Sequence, residues 1–577
     1  MSDNLAIARV LAETADLLEL KEANPFKIRA YRNAAETIAN TGERVAAFDE
    51  ARLRELPGVG RDLAARIREI VETGDAGVHR ELVAEFPPTI LELLHLQGVG
   101  PKTAATVYRE LGIGSLDDLE RAARAGQLAS VRGMGPKKTA LILRAIDERR
   151  RHASRYLAPE VADTAAALIA RLQEAAPGAD FTPVGSLRRG AETCGDLDIL
   201  AVGAPPSLMD AFTGDRLVER VLGRGETKAS VLLHGGLQAD LRLVPPGSRG
   251  AALQYFTGSK AHNIALRDRA LARGLTLNEY GLFDAATSAP VASETEEAIY
   301  AALGLPFVPP ELRENRGEID AAAAGSLPRL IERSDLRGDL HAHTTATDGR
   351  DDIETMALAA RAAGLEYLAI TDHSQALAMA NGLDERRALA HAARVREVGR
   401  RLDGITLLAG IECDIRPDGT MDLADDCLAE LDLVIASVHS AFNQEASQMT
   451  DRLRRAIACP YVDIIGHPTG RLLLRREPYQ LDLDAVLHDA AAAGVALEIN
   501  SQIERRDLND VQARLARDRG ITLTIATDAH ARGAFSLLRW GVQTARRAWL
   551  TADDVLNTRP IEAFRASLRR HRRPAAR

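Results

Sequence analysis

The chain is predicted to fold as several domains: a helical N-terminal region, a strand-containing middle region, and a C-terminal region where parallel strands alternate with helices. Its length is the first indication, because 577 residues exceed what one hydrophobic core supports. A turn followed by a helix start occurs three times before residue 150. Seven short apolar runs follow residue 335, separated by alanine-rich stretches of helical character.

Composition narrows the class of protein. Hydrophobic residues make up 46% of the chain, which is enough for several cores. The net charge of −9, taken alone, argues mildly against a nucleic-acid partner, although single domains can differ from this average. The four cysteines are scattered, which is typical of a reduced cytoplasmic protein. We expect no membrane contact, because no uncharged apolar run is long enough and the first residues indicate an amphipathic helix rather than a signal peptide.

The N-terminal pattern is a hydrophobic residue, a Gly-x-Gly turn and a helix start, within residues 56–67, 96–108 and 131–143. Glycine permits positive φ and leaves backbone N–H groups uncovered, so each turn and helix start can bind an anion. The pattern resembles the helix-hairpin-helix motif, which grips DNA phosphates without reading bases. A tight turn between packed helices is the plain alternative. The expected DNA contacts are Gly58, Gly60, Gly98, Gly100, Lys102, Gly133, Gly135 and Lys137.

The middle region carries paired carboxylates. Asp196 and Asp198 are two residues apart in an apolar run, so on a strand both side chains point the same way. Asp240 lies in a second apolar run, and three carboxylates on adjacent strands can hold two Mg²⁺ ions for phosphoryl transfer. The turn at Gly185 and Ser186 supplies backbone amides.

GSLRRG followed by DLDIL, within residues 185–200, resembles the nucleotidyltransferase palm of family X DNA polymerases, and residues 253–283 resemble the family's thumb. The resemblance implies that Asp196, Asp198 and Asp240 hold two Mg²⁺ or Mn²⁺ ions, with Asp240 placed to help deprotonate the primer 3′-hydroxyl. Lys260 replaces an acidic residue of DNA polymerase beta, so altered nucleotide affinity is expected. Nucleotide contacts are implied for Gly185, Ser186, Arg189, Tyr255, Phe256, Gly258 and Asn263.

One departure concerns a second activity of this family. In DNA polymerase beta a lysine after the first hairpin forms a Schiff base with an abasic sugar, and here Arg66 stands at that position. Arginine stays protonated and cannot serve as that nucleophile. Lys27 matches a nearby lysine and is the remaining candidate for such a lyase activity.

The seven C-terminal runs have the length and aliphatic content of buried parallel strands, and most end in a histidine or a carboxylate. Because the C-terminal ends of parallel strands gather on one face, these side chains are predicted to form a metal site. The runs are 336–343, 366–373, 406–412, 433–439, 462–467, 496–500 and 522–530. Imidazoles favour Zn²⁺ or Mn²⁺.

This pattern resembles the polymerase and histidinol phosphatase (PHP) domain, a distorted (β/α)7 barrel that hydrolyses phosphoesters. The resemblance implies up to three Mn²⁺ or Zn²⁺ ions: one on His341, His343, Glu412 and Asp528, one bridged by Glu412 with His439 and His467, and one on Asp348, His373 and His530. Asp348 stands where some members have histidine, which favours Mn²⁺ there. We expect Asp372 to support the ligands and Asn500 to contact phosphate.

Together these resemblances predict an α-helical helix-hairpin-helix region, an α+β palm and thumb, and a C-terminal PHP barrel. The expected boundaries are 1–80 and 81–150 for the hairpin domains, 151–245 for the palm, 246–315 for the thumb, 316–334 for a linker and 335–577 for the PHP domain. The implied function is gap-filling synthesis on gapped or primer-template DNA with dNTPs, and Mn²⁺-dependent 3′–5′ trimming or abasic-site cleavage, by a monomer. The alternatives are a polymerase fused to a small-molecule phosphatase and a DNA-binding repair scaffold.

Overall fold

The chain divides into two units, Met1–Ala153 and Ser154–Arg577. The computed structural model describes residues 4–21, 23–39, 45–87, 89–94, 96, 99–131, 133–152 and 155–568. Within those ranges, no helix combines the length and apolar character needed to span a membrane.

Helices form the regular structure described in the first unit. They are α1 (Asn4–Leu20), α2 (Pro25–Ala39), α3 (Glu50–Leu53), α4 (Arg61–Thr73), α5 (Gly77–Glu85), α6 (Ile90–Leu94), α7 (Pro101–Leu111), α8 (Leu116–Arg124) and α9 (Pro136–His152). Ser115 caps α8 by accepting a hydrogen bond from the Asp118 backbone. Leu11, Ile38 and Ile67 are fully buried in the shared core, so amphipathic packing holds the helices together.

The second unit begins with the palm, which contains a five-stranded sheet. Its elements are β1 (Tyr156–Leu157), α10 (Ala158–Ala175), β2 (Asp180–Pro183), α11 (Gly185–Arg188), β3 (Thr193–Cys194), β4 (Asp196–Val202), α12 (Leu208–Thr213), β5 (Val218–Arg224), β6 (Lys228–Leu233) and β7 (Gln238–Val244). The strand order is β2-β4-β7-β6-β5, and only β4 and β7 run parallel. Leu197 and Ile199 of β4 pack in one core with Leu168 and Phe212, which places the helices α10 and α12 against the sheet.

The thumb follows, with a small antiparallel sheet between helices. Its elements are α13 (Arg249–Thr257), α14 (Lys260–Leu271), β8 (Leu275–Asn278), β9 (Gly281–Asp284), β10 (Pro290–Ala292), α15 (Glu296–Ala302) and α16 (Glu318–Ala323). Residues 316–334, which we expect to link the thumb to the barrel, are themselves folded and packed. Glu318 is fully buried there, and Trp549 from the C-terminal region belongs to the thumb's core.

Seven parallel strands in chain order form the C-terminal barrel. The elements are β11 (Gly338–Asp339), α17 (Ile353–Ala362), β12 (Tyr367–Ile370), α18 (Glu385–Gly399), β13 (Thr406–Asp414), α19 (Asp425–Ala429), β14 (Leu433–Ser437), α20 (Ala446–Ala458), β15 (Ile464–Ile465), α21 (Leu483–Ala493), β16 (Ala496–Asn500), α22 (Asp510–Asp518), β17 (Leu523–Ala526), α23 (Leu538–Arg547) and α24 (Ile561–Ser567). Each strand overlaps its predicted run, so the predicted fold is confirmed.

The barrel is nearly closed. A parallel bridge between Ala342 and Ala529 joins the segments that follow β11 and β17, and the His343 N–H donates to the Ala529 carbonyl over 2.8 Å. Inside the barrel, the Phe564 ring of α24 stacks on the Tyr367 ring. Both belong to a buried apolar cluster near the N-terminal ends of the strands. The strand ends on the opposite side are therefore left for polar side chains.

Candidate functional site

The palm carboxylates lie on neighbouring strands. Asp196 and Asp198 are on β4, and the parallel register places Asp198 beside Asp240 of β7. Burial, together with the charges of Asp196 and Asp240, raises the pKa of Asp198 to about 6. Lys228 of β6 lies 2.9 Å from Asp240, a partner that sequence reasoning missed. A divalent cation between these carboxylates would relieve their repulsion, so the residues fit a metal site.

The glycine turn sits directly against these carboxylates. Gly185 has a φ of 64°, and a Cβ at this position would lie 2.9 Å from Asp198 Oδ2, so only glycine fits without a shift. Arg188 forms two hydrogen bonds with Glu296 of α15, at 3.1 and 2.6 Å. Arg188 therefore fastens the palm to the thumb, and the phosphate contact expected of Arg189 stays a prediction.

The predicted nucleotide pocket residues lie at the end of α13 and on α14. Tyr255 and Phe256 meet edge to face with ring centroids 5.1 Å apart. Asn263 is buried, accepts a hydrogen bond from Gln254 over 2.7 Å and donates to the Tyr255 carbonyl over 2.7 Å. The Asn263 amide thus fixes the helix end that carries the two rings, and its contact with nucleotide stays a prediction.

The glycine turns of the first unit have the predicted local form. Helices α4, α7 and α9 begin directly after Gly60, Gly100 and Gly135, where an added Cβ would meet nothing within 4 Å. Gly58 and Gly133 have φ of 76° and 85°, whereas Gly98 lies outside the described residues. The open helix starts leave room for a phosphate.

The lysines after the turns differ in their surroundings. Lys102 and Lys137 are exposed beside their turns. Lys138 donates to Thr103 over 3.2 Å, which ties the third turn to the helix of the second. In the first hairpin Arg66 pairs with Glu69 at 3.1 Å.

All nine predicted ligands of the barrel meet in one cluster at the strand ends. Potential ligand atoms lie within 4.8 Å of one another in three groups: His343, Asp348, His373 and His530; His341, His343 and Asp528; and His373, Glu412 and His439. The ninth residue, His467, has Nε2 3.0 Å from Glu412 Oε1. This grouping differs from the expected division, since His343 and His373 each fall in two groups. The assignment of ligands to individual ions stays a prediction.

The histidine cluster fits divalent metals. His341 and His343 are fully buried, and His341 Nε2 and His343 Nδ1 have no hydrogen-bond partner among the described residues. Burial, with neighbouring His530 and His373, lowers the pKa of His343 to about 4, so it is neutral at pH 7. Neutral imidazole with an open lone pair is the form that binds metal ions. Bound ions would polarise a phosphoryl group and stabilise its leaving oxygen.

Buried carboxylates behind the ligands orient their rings. Glu498 of β16 is fully buried, with Oε1 2.8 Å from His341 Nδ1, and its Oε2 accepts from the His467 backbone over 2.6 Å. Asp414 Oδ1 lies 2.5 Å from His439 Nδ1. Such partners fix the tautomer that leaves the other nitrogen for a metal. Sequence reasoning missed both, although Asp414 follows Glu412 by two residues on one strand and so shares its face.

Three further polar residues surround the cluster. Asp372 accepts from the Thr344 backbone over 2.9 Å, which suits the expected supporting role. Asn500 donates to Glu498 and Asp528, each over 3.2 Å, and its expected contact with phosphate stays a prediction. Arg505, which sequence reasoning missed, has Nε 3.7 Å from Asp528 Oδ2. Its guanidinium therefore lies beside the histidine cluster, and a guanidinium is well suited to pair with a phosphate.

Comparison with known proteins agrees with this architecture. The family models that match are the helix-hairpin-helix domain at residues 2–76, the SAM-like helix-hairpin-helix tandem at 90–148, the DNA polymerase beta palm at 158–232, the DNA polymerase beta thumb at 252–314 and the PHP domain at 339–502. The last match ends before Asp528 and His530, which the structure nevertheless brings into the cluster.

Relatives fall into two kinds. The DNA polymerase/3′-5′ exonuclease PolX of Bacillus subtilis (strain 168) is 36% identical over 568 residues, 98% of this chain and 99% of that protein. A probable phosphatase of Thermoanaerobacter sp. (strain X514) is 28% identical over 231 residues, 38% of this chain and 89% of that protein. One from Shewanella sediminis (strain HAW-EB3) is 35% identical over 209 residues, 34% of this chain and 79% of that protein. Since the first similarity spans nearly the whole length, the chain belongs to the family X DNA polymerases that carry a C-terminal PHP domain.

Proposed function

We propose that this protein is a repair polymerase that fills short gaps in DNA and trims DNA 3′ ends. The palm adds dNTPs to a primer by nucleotidyl transfer, with Asp196, Asp198 and Asp240 holding two Mg²⁺ or Mn²⁺ ions. The observation that carries this proposal is the parallel register that pairs Asp198 with Asp240 beside the Gly185 turn. The similarity to the Bacillus subtilis polymerase and exonuclease over 98% of the chain supports it.

The barrel supplies the second activity in this proposal. Its nine clustered residues hold up to three Mn²⁺ or Zn²⁺ ions and hydrolyse phosphodiesters at a 3′ end or an abasic site. Arg505 binds the phosphate, because its guanidinium lies beside Asp528 at the edge of the cluster. Glu498 and Asp414 hold His341 and His439 in the orientation that metal binding requires.

Two further sets of residues bind the substrates in this proposal, one set for DNA and one for the incoming nucleotide. The turns at Gly58–Gly60 and Gly133–Gly135, and Gly100 with Lys102, grip the DNA backbone. Incoming nucleotide contacts Gly185, Ser186, Arg189, Tyr255, Phe256, Gly258 and Asn263. The domain boundaries, a monomeric state and a cytoplasmic location complete the proposal, the last supported by four cysteines that form no disulfide.

A second candidate function concerns the barrel alone. The similarity to probable phosphatases over about a third of the chain favours hydrolysis of small phosphate monoesters. A competition experiment distinguishes a barrel that acts on DNA from one that acts on small phosphate esters. Gapped DNA should inhibit hydrolysis of a chromogenic phosphate ester only if both substrates bind at the same site. The scaffold alternative requires degraded sites, and the clustering of the carboxylates and histidines argues against it.

The test uses a 5′-labelled primer on a template with a one-nucleotide gap, full-length protein and Mn²⁺, with or without dNTPs. Extension with dNTPs and shortening without them is the expected result. Extension without shortening would instead favour the hypothesis that the barrel is a phosphatase for small phosphate monoesters. Binding to the gap with neither reaction would overturn the proposal in favour of the scaffold.

A further inference from the structure

The side chain of Arg189 is held from two directions. Its Nη1 donates to the Thr257 carbonyl over 2.6 Å, and its Nε donates to Glu314 Oε1 over 3.0 Å. Both charged side chains are largely buried, with 16% and 18% of their surfaces exposed. With two of its three nitrogens engaged, the guanidinium has one set direction. Glu314 lies at the C-terminal end of the thumb, outside the sequence motifs assigned above.

A second arginine, from the barrel's helix α23, completes this arrangement. Arg547 Nη1 donates to the backbone carbonyl of Arg189 over 2.7 Å and to Glu314 Oε1 over 2.9 Å. It therefore contacts both the main chain of Arg189 and the carboxylate that directs its side chain. Arg547 Nη2 lies 2.9 Å from Asp510 Oδ2, which also accepts from Arg316 over 2.8 Å. Every charge in this chain of contacts has an opposite partner.

The residues that follow Arg189 in the palm also contact the barrel. Gly190 has a φ of 72°, and a Cβ there would lie 2.4 Å from Gln543 Cγ of α23. Two residues on, Glu192 accepts two hydrogen bonds from Arg471, at 2.9 and 2.5 Å. The loop that follows the Gly185 turn is thus fixed at successive points by residues of the C-terminal region.

We propose that Arg547, acting through Glu314, is a positioning residue for the polymerase site. The barrel then sets the direction of the arginine that binds the triphosphate of the incoming nucleotide. The inference rests on the function proposed above for Arg189. A guanidinium already held in its binding orientation loses less rotational freedom when the nucleotide arrives. Loss of the contact should therefore weaken nucleotide binding more than it slows the chemical step.

The test measures kcat and KM for a dNTP with the full-length protein, Mg²⁺ and a one-nucleotide gap. Glu314→Gln and Arg547→Leu are expected to raise KM about tenfold, as for the loss of one charge-assisted hydrogen bond, with kcat changed less than about threefold. Arg546→Leu is the matched control: Arg546 neighbours Arg547 on α23 and pairs with Glu311 at 2.7 Å, but does not contact Arg189. Its KM should equal that of the wild type.

A double-mutant cycle locates the effect. In an Arg189→Gln background, Arg547→Leu should raise KM no further, because the side chain that it positions is gone. Arg547→Lys should recover part of the lost affinity by restoring the charge. Glu314→Gln keeps the side-chain volume, and 3′ trimming and the melting temperature report the folding of each variant.

Three results would overturn the inference: a KM within twofold of wild type for both Glu314→Gln and Arg547→Leu, an equal rise in Arg546→Leu, or full additivity with Arg189→Gln. Failure of the proposed function is distinguishable, since the wild type itself would then incorporate no nucleotide.

Discussion

Replacing Glu498 by glutamine should weaken metal binding in the barrel without altering the shape of the metal centre. Glu498 Oε1 lies 2.8 Å from His341 Nδ1, and Oε2 accepts from the His467 backbone over 2.6 Å. The carboxylate thus keeps the proton of His341 on Nδ1 and leaves Nε2, which faces Glu412 and Asp528 at 3.4 and 3.6 Å, for a metal.

A glutamine cannot satisfy both neighbours and also leave His341 Nε2 free for a metal. With its amide nitrogen toward His341, the imidazole must accept at Nδ1 and carry its proton on Nε2, so it is lost as a ligand. With the amide turned round, its N–H groups meet the His467 N–H instead. Metal binding at His341 therefore requires the second orientation, which leaves the buried His467 N–H unpaired at a cost of about 2 kcal/mol. At 1.4 kcal/mol per factor of ten, metal affinity should fall about thirtyfold.

The assay is 3′ trimming of a 5′-labelled primer across a Mn²⁺ titration. The midpoint should rise about thirtyfold in Glu498→Gln, whereas primer extension by the palm should be unchanged. Glu504→Gln is the control, because Glu504 is 38% exposed and pairs with Arg475 at 3.1 Å. A midpoint that moves less than about threefold, or that moves equally in the control, would refute the reasoning.

Three other substitutions test separate parts of the molecule. Asp198→Asn should reduce primer extension at least about a hundredfold, because it removes a predicted metal ligand, and should leave 3′ trimming intact in the same gel assay. Arg505→Leu should slow trimming about a hundredfold at saturating Mn²⁺ with an unchanged Mn²⁺ midpoint, whereas a shifted midpoint would mean that Arg505 supports the ligands instead. Arg66→Lys should create an adduct with 5′-deoxyribose-phosphate DNA that borohydride traps, because lysine supplies the missing amine. An adduct in the wild type would contradict this and point to Lys27.

The barrel could be predicted from the sequence because its signals are local. A buried parallel strand is a short apolar run, and Tyr367–Ile370 and Leu433–Ser437 are buried at every position. A histidine within three residues of the end of such a strand, as at His373 or His439, must lie at the rim where the strands end. The paired aspartates could be predicted in the same way, because Asp196 and Asp198 are two residues apart on one strand and so point to the same face.

The supporting contacts could not be predicted in this way. Glu498 lies inside an apolar strand, and nothing in the run identifies its partner His341, which is 157 residues away. Arg547 and Glu314 are 233 residues apart, and only the packing of the barrel against the thumb brings them together. Ion pairs between distant segments depend on tertiary structure, which one sequence does not encode as a local pattern.

Barrel closure also determines when the two activities can arise during synthesis. The bridge from Ala342 to Ala529 brings His343 next to Asp528, with His343 Nε2 and Asp528 Oδ1 3.0 Å apart. The palm carboxylates are all present once Asp240 has left the ribosome, and domains generally fold as units in the order of translation. The nuclease centre cannot assemble until the chain through His530 has emerged. A nascent chain would therefore carry a complete set of palm carboxylates well before it could degrade a DNA end.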